Sequence, residues 1–562
     1  MSRVLESTRC SSSLQPDPDH GVRLFRTTGQ PTFNMNDSFG YDITNDGQTE
    51  HEPERTDGPV PKRSSTGTRM TGHRFDTAII GGGVAGMSTA ARLQANGRST
   101  VVLEHHDHVG GCAGYYRQDG FAFDVGATTL VDFEPGGVGG QFLEEVGFDP
   151  PPIDIQDAYQ LQLPDRTVTL YHDQEKWRRE RRETFGDDAA HRRFYRFLDR
   201  LSETLWELTR GDVKLPIQRP RDLLRNAKAV GLGNVGLVRY LRWTMADALR
   251  HFDVYDDVPL RTAIAMLVED TVHATLEEAP LPNAILGTTI RRAGLGRAEG
   301  GMYGFWTALE AQYAGLGGTV ETDHTVTEVT GRRGGFRIET DRGGFRAAQV
   351  VSAVPINITR ALAPTIVGER LDEHVAMLRD HEGGAVVVFL GVPEAEVADR
   401  DITHHQILRS YDEPLGGGNN MFVSVSAPGD TTSAPEGYRA VILSTHCEID
   451  PWQGLDDDTY ERRKQPVGER LLAGARTVYP DLATNPAVYE VGTPVSYEAF
   501  TNRPRGAIGG YRQTLANTNQ RAVPQDIGVD GFYLAGDTTW PGLGTVACLK
   551  GSEIAAQHVL KR

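Results

Sequence analysis

Apolar and polar residues alternate with two different periods along the chain, and the changes of period outline its elements. Phe75 to Ile80 is a short apolar run, which is typical of a buried strand. A segment with helical spacing of apolar residues follows at 87–97, and Ser99 to Leu103 is a second apolar run. Further short strand patterns occur at 319–322, 325–329, 336–340 and 349–355. This order predicts an α/β fold in which helices cover a parallel sheet.

Two blocks with other patterns interrupt this order. Residues 366–495 offer strand candidates separated by Gly, Pro and Asp, which predicts an antiparallel sheet. Residues 185–290 are mostly helix-like, and we interpret the range 151–297 as a helical cap that faces a membrane and a substrate site. The two blocks therefore predict an α+β substrate domain inserted into a discontinuous Rossmann-like domain, whose pieces are 74–150, 298–365 and 496–562.

A glycine-rich turn lies between the first strand and the first helix. Gly81, Gly83 and Gly86 form the pattern G-x-G-x-x-G, whose glycines allow a tight turn, close approach of a pyrophosphate and helix packing. Glu104 ends the second strand about 20 residues later, where a carboxylate accepts hydrogen bonds from a ribose. The motif predicts a dinucleotide site, but it does not distinguish NAD from FAD.

A second candidate site lies near the end of the chain, where a short apolar strand runs into a turn and a final helix. Gly536 and Asp537 end the strand, and Gly544, Thr545 and Val546 begin the helix. A carboxylate at this point suits a ribityl hydroxyl, and the helix amides suit a flavin ring. Because NAD needs no such second clamp, the two ends together predict FAD. The alternative is an ordinary strand, turn and helix.

Composition narrows the classes of function. A net charge of −18 argues against nucleic acid as a partner, because phosphates would be repelled. No uncharged apolar run approaches the ~20 residues that cross a bilayer, and no secretory signal pattern is present. The cysteines show no metal-binding spacing, so we expect free thiols, no metal site and a cytoplasmic protein. Residues 1–73 lack apolar periodicity, which predicts a disordered tail.

Five segments of the chain resemble the FAD-dependent phytoene desaturase and carotenoid isomerase family, within the amine-oxidase-like flavoproteins. They are IIGGGVAGMSTAARL, LEHHDHVGGCAGYYRQDGFAFDVGATTL, EGGMYGFWTALEA, TPVSYEAFTNRPRGAIGG and GFYLAGDTTWPGLGTVACLKGSE. The resemblance covers most of the chain from about residue 74 onward. The segment DVGATTLVDFEPGG resembles carotenoid 3,4-desaturases in particular.

The resemblance implies further contacts to FAD. Gly110 and Gly111 match the glycine pair whose backbone passes the pyrophosphate. Gly126 and Ala127 match a turn beside the isoalloxazine ring, and Val326 matches a position in contact with adenine. It also implies the same roles for the two carboxylates named above, as ligands of the adenosine ribose and of the ribityl chain.

The activity that the resemblance implies is carotenoid desaturation, in which a long apolar polyene gains double bonds as a hydride passes to flavin N5. A quinone or oxygen would then accept the electrons. Two alternatives stay open, namely a carotene cis-trans isomerase with reduced FAD and a prenyl-lipid chaperone without redox activity. Amine oxidases often carry Arg where this chain has Cys112, which disfavours an amine substrate.

Desaturation also removes a proton, and the sequence does not single out the catalytic base. The candidates lie in regions expected to line the cavity, and they are Glu269, Asp270, His273 and Glu498. Arg503 or Arg505 would steady the flavin or the substrate, unless they are ordinary surface arginines.

Residues 214–250 carry an unusual excess of positive charge inside an acidic chain. Their basic residues are Lys214, Arg219, Arg221, Arg225, Lys228, Arg239, Arg242 and Arg250. Leu and Trp residues are interspersed among them, as in helices that lie on anionic membranes. This segment predicts peripheral association with a membrane surface. The alternative is a cap whose apolar face joins the core.

Overall fold

The computed structural model describes residues 74–231, 236, 239–378 and 380–561. The predicted disordered tail, 1–73, lies outside the described residues. The strands in chain order are β1 Arg74–Ile80, β2 Thr100–Leu103, β3 Tyr115–Gln118, β4 Phe121–Asp124, β5 Leu130–Val131, β6 Ile153–Ile155, β7 Ala158–Leu163, β8 Arg166–Tyr171, β9 Leu295–Ala298, β10 Thr319–Glu321, β11 Val326–Thr330, β12 Phe336–Thr340, β13 Gly343–Ser352, β14 Gly384–Pro393, β15 His404–Leu408, β16 Asn420–Val425, β17 Tyr438–Cys447, β18 Val488–Gly492 and β19 Phe532–Leu534. The helices are α1 Val84–Ala95, α2 Val138–Val146, α3 Gln174–Phe185, α4 Ala189–Arg210, α5 Pro220–Val230, α6 Met245–His251, α7 Val258–Val272, α8 Leu281–Thr288, α9 Gly301–Gly315, α10 Ile356–Leu362, α11 Pro364–Leu378, α12 Asp457–Ala475, α13 Pro494–Thr501 and α14 Thr545–Leu560.

The first sheet joins the two ends of the described chain. Its strand order is β10-β2-β1-β13-β12-β11, and β19 pairs with the carboxyl end of β13. All neighbouring strands pair in parallel except β12, which pairs antiparallel with both β13 and β11. Residues 350–352 of β13 pair with β1 on one side and with β19 on the other. The predicted α/β fold is therefore confirmed, and the strands that precede both candidate cofactor turns flank the same strand.

The helices that follow β1 and β19 pack against each other over one face of the first sheet. Ser88 of α1 donates a hydrogen bond to Ser552 of α14 at 2.9 Å. Arg92 is buried, and it pairs with Glu145 of α2 at 2.6 Å and donates to Ser552 at 2.6 Å. A buried ion pair of this kind fixes the register of the three helices, because breaking it would leave a charge without a partner.

The second sheet supports the other half of the molecule. Its strand order is β18-β14-β17-β16-β15-β7-β8. Neighbouring strands run antiparallel, as the sequence predicts, except that β15 and β7 are parallel. Helix α12 packs its apolar residues on one face, and helices α4, α6, α7 and α8 pack over the other face at β7, β8, β15 and β16.

The assignment of the whole range 151–297 to a helical cap needs correction. Strands β7 and β8 of this range extend the second sheet, and β6 and β9 form a small antiparallel sheet with β5. Tyr159, Leu161 and Leu163 are buried, whereas the residues between them are half-buried. This period of two is that of a strand with one face in the core. Most of the described residues between 174 and 293 are helical and form the cap.

No helix among the described residues combines the length and the apolar character needed to cross a bilayer.

Candidate functional site

The two glycine loops of the sequence analysis lie side by side at the carboxyl end of β1. The amide of Gly110 donates to the Gly82 carbonyl at 2.9 Å, and Gly83 and Gly110 form a parallel bridge. A side chain at Gly86 would lie 1.9 Å from the Gly81 carbonyl oxygen, so helix α1 approaches the turn as only glycine permits. At Gly83, by contrast, the nearest atom to the position of an added Cβ is Cα of Gly111, at 3.8 Å. The loop is therefore closed on the helix side and open toward the predicted pyrophosphate.

Glu104 stands at the end of β2 beside this loop. Its carboxylate accepts hydrogen bonds from the amides of Gly82 at 2.5 Å and His106 at 2.9 Å. Burial nevertheless raises the pKa of Glu104 above its ordinary value. Val326, the first residue of β11, lies close to this segment. Thr325 precedes it, and its hydroxyl contacts the imidazole of His105, the residue after Glu104, at 2.7 Å. The structure therefore brings the segments of the predicted ribose and adenine residues into contact, although β2 and β11 are not neighbours in the first sheet.

The segment after Glu104 contains a further cluster that the sequence analysis did not single out. His106, Asp107 and His108 place a possible metal-ligand atom each within 4.8 Å of the others. The Asp107 carboxylate lies 2.6 Å from Nδ1 of both histidines, which accounts for the closeness of the three side chains. Burial lowers the pKa of His106, and the neighbouring His108 lowers it further.

Asp537 forms a buried ion pair at the carboxyl end of β19. Arg503 donates a hydrogen bond to Oδ2 of Asp537 at 2.6 Å. Burial opposes the charge of Arg503, but the Asp537 carboxylate outweighs it and raises the pKa of the guanidinium. Arg505 behaves differently, since it pairs with Glu382 at 3.5 Å and with Asp450. Of the two predicted arginines, only Arg503 thus belongs to the candidate cofactor site.

The start of α14 completes this side of the site. Gly544 has a φ of 95° and caps the helix without a side chain, and nothing lies within 4 Å of its missing Cβ. The first amides of an α-helix, here those of Thr545 and Val546, have no partner inside the helix and attract electron-rich groups. Gly536 precedes the ion pair with a φ of 113°. The predicted flavin residues therefore present open backbone next to a fixed carboxylate.

Gly126 and Ala127 connect the two sides. A side chain at Gly126 would lie 2.2 Å from the Cys112 carbonyl oxygen, so this turn packs directly on the loop of Gly110 and Gly111. Cys112 in turn interacts electrostatically with the buried Arg503 guanidinium. The cradle thus runs from the loop at Gly83 past Cys112 to the ion pair and the start of α14. Its open glycine backbone and its helix N-termini fit a dinucleotide that carries a flavin.

A second polar cluster lies where the carboxyl end of α7 meets the second sheet. Glu269 Oε1 lies 2.9 Å from His446 Nδ1 of β17, and Asn420 of β16 donates to Glu269 Oε2 at 2.9 Å. The His273 ring lies 4.8 Å from the His446 ring. Asp270, the next residue of the helix, interacts with His446 and with Arg291. Three of the four predicted base candidates therefore converge, and they do so around a histidine and an asparagine that the sequence analysis missed.

The charges in this cluster are strongly coupled. Burial disfavours the imidazolium form of His446, but the Glu269 carboxylate outweighs burial and raises the pKa of His446 to about 9. Conversely, burial opposes the ionisation of Glu269, while His446 and Asn420 lower the pKa of the carboxyl below its ordinary value. Burial lowers the pKa of His273 to about 3 and raises the pKa of Asp270. At neutral pH the cluster thus holds one carboxylate–imidazolium pair beside a neutral imidazole.

The fourth candidate base, Glu498, lies elsewhere. It is exposed on α13, and it has no contact with the cluster among the described hydrogen bonds and ion pairs. Its neighbour Tyr497 is buried and donates to the Val125 carbonyl, beside Gly126. Helix α13 thus serves the cofactor side through its buried face, while the Glu498 carboxylate faces solvent.

A short loop connects the cofactor cradle with the polar cluster. A side chain at Gly509 would lie 2.8 Å from Cε1 of His273, and one at Gly510 would lie 2.7 Å from the Asp537 carbonyl oxygen. The Gln513 amide also donates to the Val272 carbonyl at 3.1 Å. The loop 507–513 therefore has the predicted flavin clamp on one side and the polar cluster on the other.

The floor of the cluster, formed by Arg291, Tyr159 and Gln406, contains buried polar atoms whose hydrogen-bonding capacity is not used. Arg291 lies over the Tyr159 ring, with its guanidinium carbon 4.1 Å from the ring centroid. Nε and Nη1 of Arg291, the Tyr159 hydroxyl and Oε1 of Gln406 are buried and have no hydrogen-bond partner among the described residues. Because unpaired buried polar atoms are costly, each of these atoms destabilises the fold unless a further polar group meets it.

Two family models match the chain. One, for an NAD(P)-binding Rossmann-like domain, matches residues 79–146, and one for a flavin containing amine oxidoreductase matches residues 257–560. A prolycopene isomerase of Daucus carota is 24% identical over 502 residues, which cover 86% of this chain and 80% of the relative. A 4,4'-diapophytoene desaturase of Staphylococcus aureus is 22% identical over 520 residues, which cover 86% of this chain and 98% of the relative.

Solved structures show the same fold. Putrescine oxidase bound to putrescine has a TM-score of 0.58 at 15% identity, covering 87% of this chain and 100% of that one. Cyclohexylamine oxidase from Brevibacterium oxydans has a TM-score of 0.55 at 15% identity, covering 87% of this chain and 100% of that one.

Proposed function

Because this chain belongs to the flavin-containing amine oxidoreductase family, we propose that it is an FAD-dependent carotenoid desaturase, which introduces double bonds into a long apolar polyene. FAD is its cofactor, and it is related to carotenoid isomerases and desaturases. The observation that supports the proposal is the loop 507–513, which has the predicted flavin clamp on one side and the polar cluster with its partly accessible, ionised Glu269 carboxylate on the other. Desaturation needs both parts, since one hydrogen leaves as a hydride and the other as a proton.

The residues of the cradle have separate tasks in this proposal. Gly81, Gly83 and Gly86 admit the pyrophosphate, Glu104 binds the adenosine ribose, and Asp537 binds the ribityl chain while Arg503 fixes its orientation. Bound flavin supplies the two-electron chemistry by accepting a hydride at N5. The protein holds the polyene against the ring and excludes water from the cavity, which protects a carbocation from capture.

The isomerase alternative uses the same cradle and is distinguished by its product. Isomerisation leaves the mass of the polyene unchanged, whereas each desaturation removes two hydrogen atoms. The chaperone alternative needs no flavin, so the Asp537–Arg503 pair beside the open start of α14 favours an enzyme over it. Cys112 at the position where amine oxidases carry Arg also supports a substrate without an amine.

Production of the full chain in a host that makes lycopene or neurosporene tests the proposal. We expect a yellow protein with flavin absorbance and pigments lighter by pairs of hydrogen atoms than those of the host with an empty vector. Pigments of unchanged mass but altered cis-trans composition would favour the isomerase instead. A purified protein that is colourless and does not take up FAD would contradict both enzymatic functions.

We also propose that the protein works at a membrane surface, where its apolar substrate is dissolved, and that a quinone or oxygen reoxidises the flavin. In the cap, Leu223 and Leu224 of α5 are 56% and 73% exposed, and Arg221 and Arg242 are exposed as well. Exposed leucines beside arginines suit anionic lipid. Arg225 contributes less, because it is bound to Asp212.

A further inference from the structure

We propose that Glu269 is the proton acceptor of the reaction and that His446 and Asn420 are the residues that position its carboxylate. This inference rests on the proposed desaturation and names the residue that completes it. The sequence alone leaves four candidates for the catalytic base and does not indicate His446 or Asn420.

The geometry fixes the carboxylate at the end of a helix. Glu269 lies in the last turn of α7, and its carbonyl oxygen accepts the His273 amide at 3.1 Å as the chain leaves the helix. His273 has a φ of 57°, which ends the helix in the left-handed region. The two carboxylate oxygens then reach different strands, Oε1 toward His446 and Oε2 toward Asn420, each at 2.9 Å. A carboxylate held at both oxygens keeps one orientation, and each oxygen retains a lone pair for an incoming proton.

The pair is enclosed by protein but is not sealed into the core. The side chains of Glu269 and His446 keep 17% and 28% of their surface accessible. Helix α7 and strands β16 and β17 contribute the pair and its Asn420 partner, and the loop 507–513 packs on the neighbouring His273. The same loop contacts Asp537 of the flavin clamp on its other side. The partly accessible Glu269 carboxylate thus lies one loop away from the predicted flavin clamp, and in the proposed reaction the polyene reaches it from there.

The surrounding charges keep Glu269 ionised. The titratable and charged groups of the elements packed around it are His446, Asp270, His273, Arg291 and Arg512. His446 is the dominant partner, and it lowers the pKa of Glu269 against the effect of burial. Asp270 is a weaker choice because its carboxylate interacts with Arg291 on the floor of the cluster. His273 binds a proton poorly, with a pKa of about 3.

The proposed step balances in atoms and electrons. One C–H bond of the polyene breaks, and bound FAD would supply the oxidant that takes up its hydrogen with both electrons. The carbon becomes a cation delocalised over the neighbouring double bonds, so the adjacent C–H bond is strongly acidic. That second bond breaks, its electron pair forms the new π bond, and the proton moves to a carboxylate oxygen of Glu269. A carboxylate of low pKa is sufficient for this transfer, because the cation releases its proton readily.

The first test replaces Glu269 by Gln, which keeps the shape and the bond from Asn420 but removes the proton acceptor. In the Glu269→Gln holoenzyme we expect kcat to fall by about 100-fold or more, with flavin absorbance and the dissociation constant of the polyene unchanged. Glu498→Gln is the matched control, because it makes the same change at an exposed carboxylate, and its kcat should stay at the wild-type value. A Glu269→Gln enzyme with kcat within threefold of the wild type would overturn the inference.

The second test uses His446→Gln and the pH profile of kcat/KM. Without the imidazolium, burial dominates the environment of Glu269, so the acidic limb of the profile should move up by about one pH unit or more. A purely structural role of His446 would lower activity at every pH and leave the limb in place, and that result would overturn the inference. If the wild-type holoenzyme converts no polyene at all, the proposed function fails. A wild type that is active together with an unaffected Glu269→Gln variant contradicts only the assignment of Glu269.

Discussion

The cofactor cradle and the polar cluster at Glu269 face each other across the loop 507–513, but they are built differently. The cradle is formed mainly by backbone, namely by glycines that leave open space and by amides at helix N-termini. It also contains the buried ion pair Asp537–Arg503. The polar cluster is formed by side chains from three elements. Glu269 of α7 is bound by His446 of β17 and by Asn420 of β16. We infer that the cradle is specified by local turns, whereas the cluster depends on the docking of the cap on the second sheet.

Because the two regions are built differently, substitutions in them should have different effects on stability and on protonation. A substitution in the cradle changes the shape of the backbone or leaves a buried charge unpaired, so it should affect both stability and cofactor binding. A substitution in the polar cluster leaves the backbone intact, and it should change protonation more than folding. The expected effects of substitution therefore decrease from the cradle to the polar cluster and then to the surface of the cap.

The largest effect is expected from Asp537→Ala in the cradle. The substitution leaves the Arg503 guanidinium buried without its carboxylate, which should cost about 3–5 kcal/mol in the free energy of unfolding. Urea denaturation measures this change, and flavin absorbance should fall with it. Replacing Arg503 by Met in addition should recover part of the lost stability. A double variant as unstable as the single one would show that the uncompensated charge is not the cause.

The next effect concerns the packing of α1 on the phosphate loop. In Gly86→Ala the new methyl group would lie 1.9 Å from the Gly81 carbonyl oxygen, so the helix must move, at a cost of about 1–3 kcal/mol. We expect a lower melting temperature and a loss of bound FAD in the absorbance spectrum. Gly315→Ala at the end of α9 is the control, since no atom lies within 4 Å of the added methyl group. Equal FAD content in both variants would contradict the proposed packing.

The pH dependence of stability distinguishes the polar cluster from the cradle. The folded pKa of His446 is about 9, above its ordinary value of 6.5, so protonated His446 stabilises the fold fully below pH 6.5 and loses this contribution as the pH rises through 9. The stability gap between the wild type and His446→Gln should therefore be on the order of 2 kcal/mol near pH 6 and should shrink toward pH 10. Thermal unfolding at several pH values measures it. A gap independent of pH would contradict the carboxylate–imidazolium pair.

The smallest effect is expected at the surface of the cap. Replacing Leu223 and Leu224 by Asn removes exposed apolar area, and binding to liposomes of anionic lipid should fall by about tenfold. Leu316→Asn makes the same change at an exposed leucine outside the cap and should leave binding unchanged. In the same assay, charge reversal at Arg221, Arg225, Arg239 and Arg242 should release the protein. Unchanged co-sedimentation of these variants would contradict membrane association.

The same contrast explains which parts of the molecule the sequence predicts. The turn at Gly81 to Gly86 is predictable because its constraint acts within a few residues, and the strand patterns that flank it lead to the confirmed parallel sheet. The pairing of Glu269 with Asn420 spans 151 positions of the chain and has no characteristic spacing, so a single sequence gives no signal for it. The interpretation of 151–297 as a helical cap is wrong for β7 and β8, although the alternation of Tyr159, Leu161 and Leu163 is a usable signal of a strand.

The central claim is that the two ends of the described chain hold one FAD next to a cavity in which a polyene is oxidised. Anaerobic titration of the purified holoenzyme with the polyene tests it most directly, with flavin absorbance and product mass recorded together. We predict that the flavin absorbance bleaches in proportion to the polyene converted and that the product is lighter by two hydrogen atoms. Flavin that stays oxidised while the polyene keeps its mass would contradict the account.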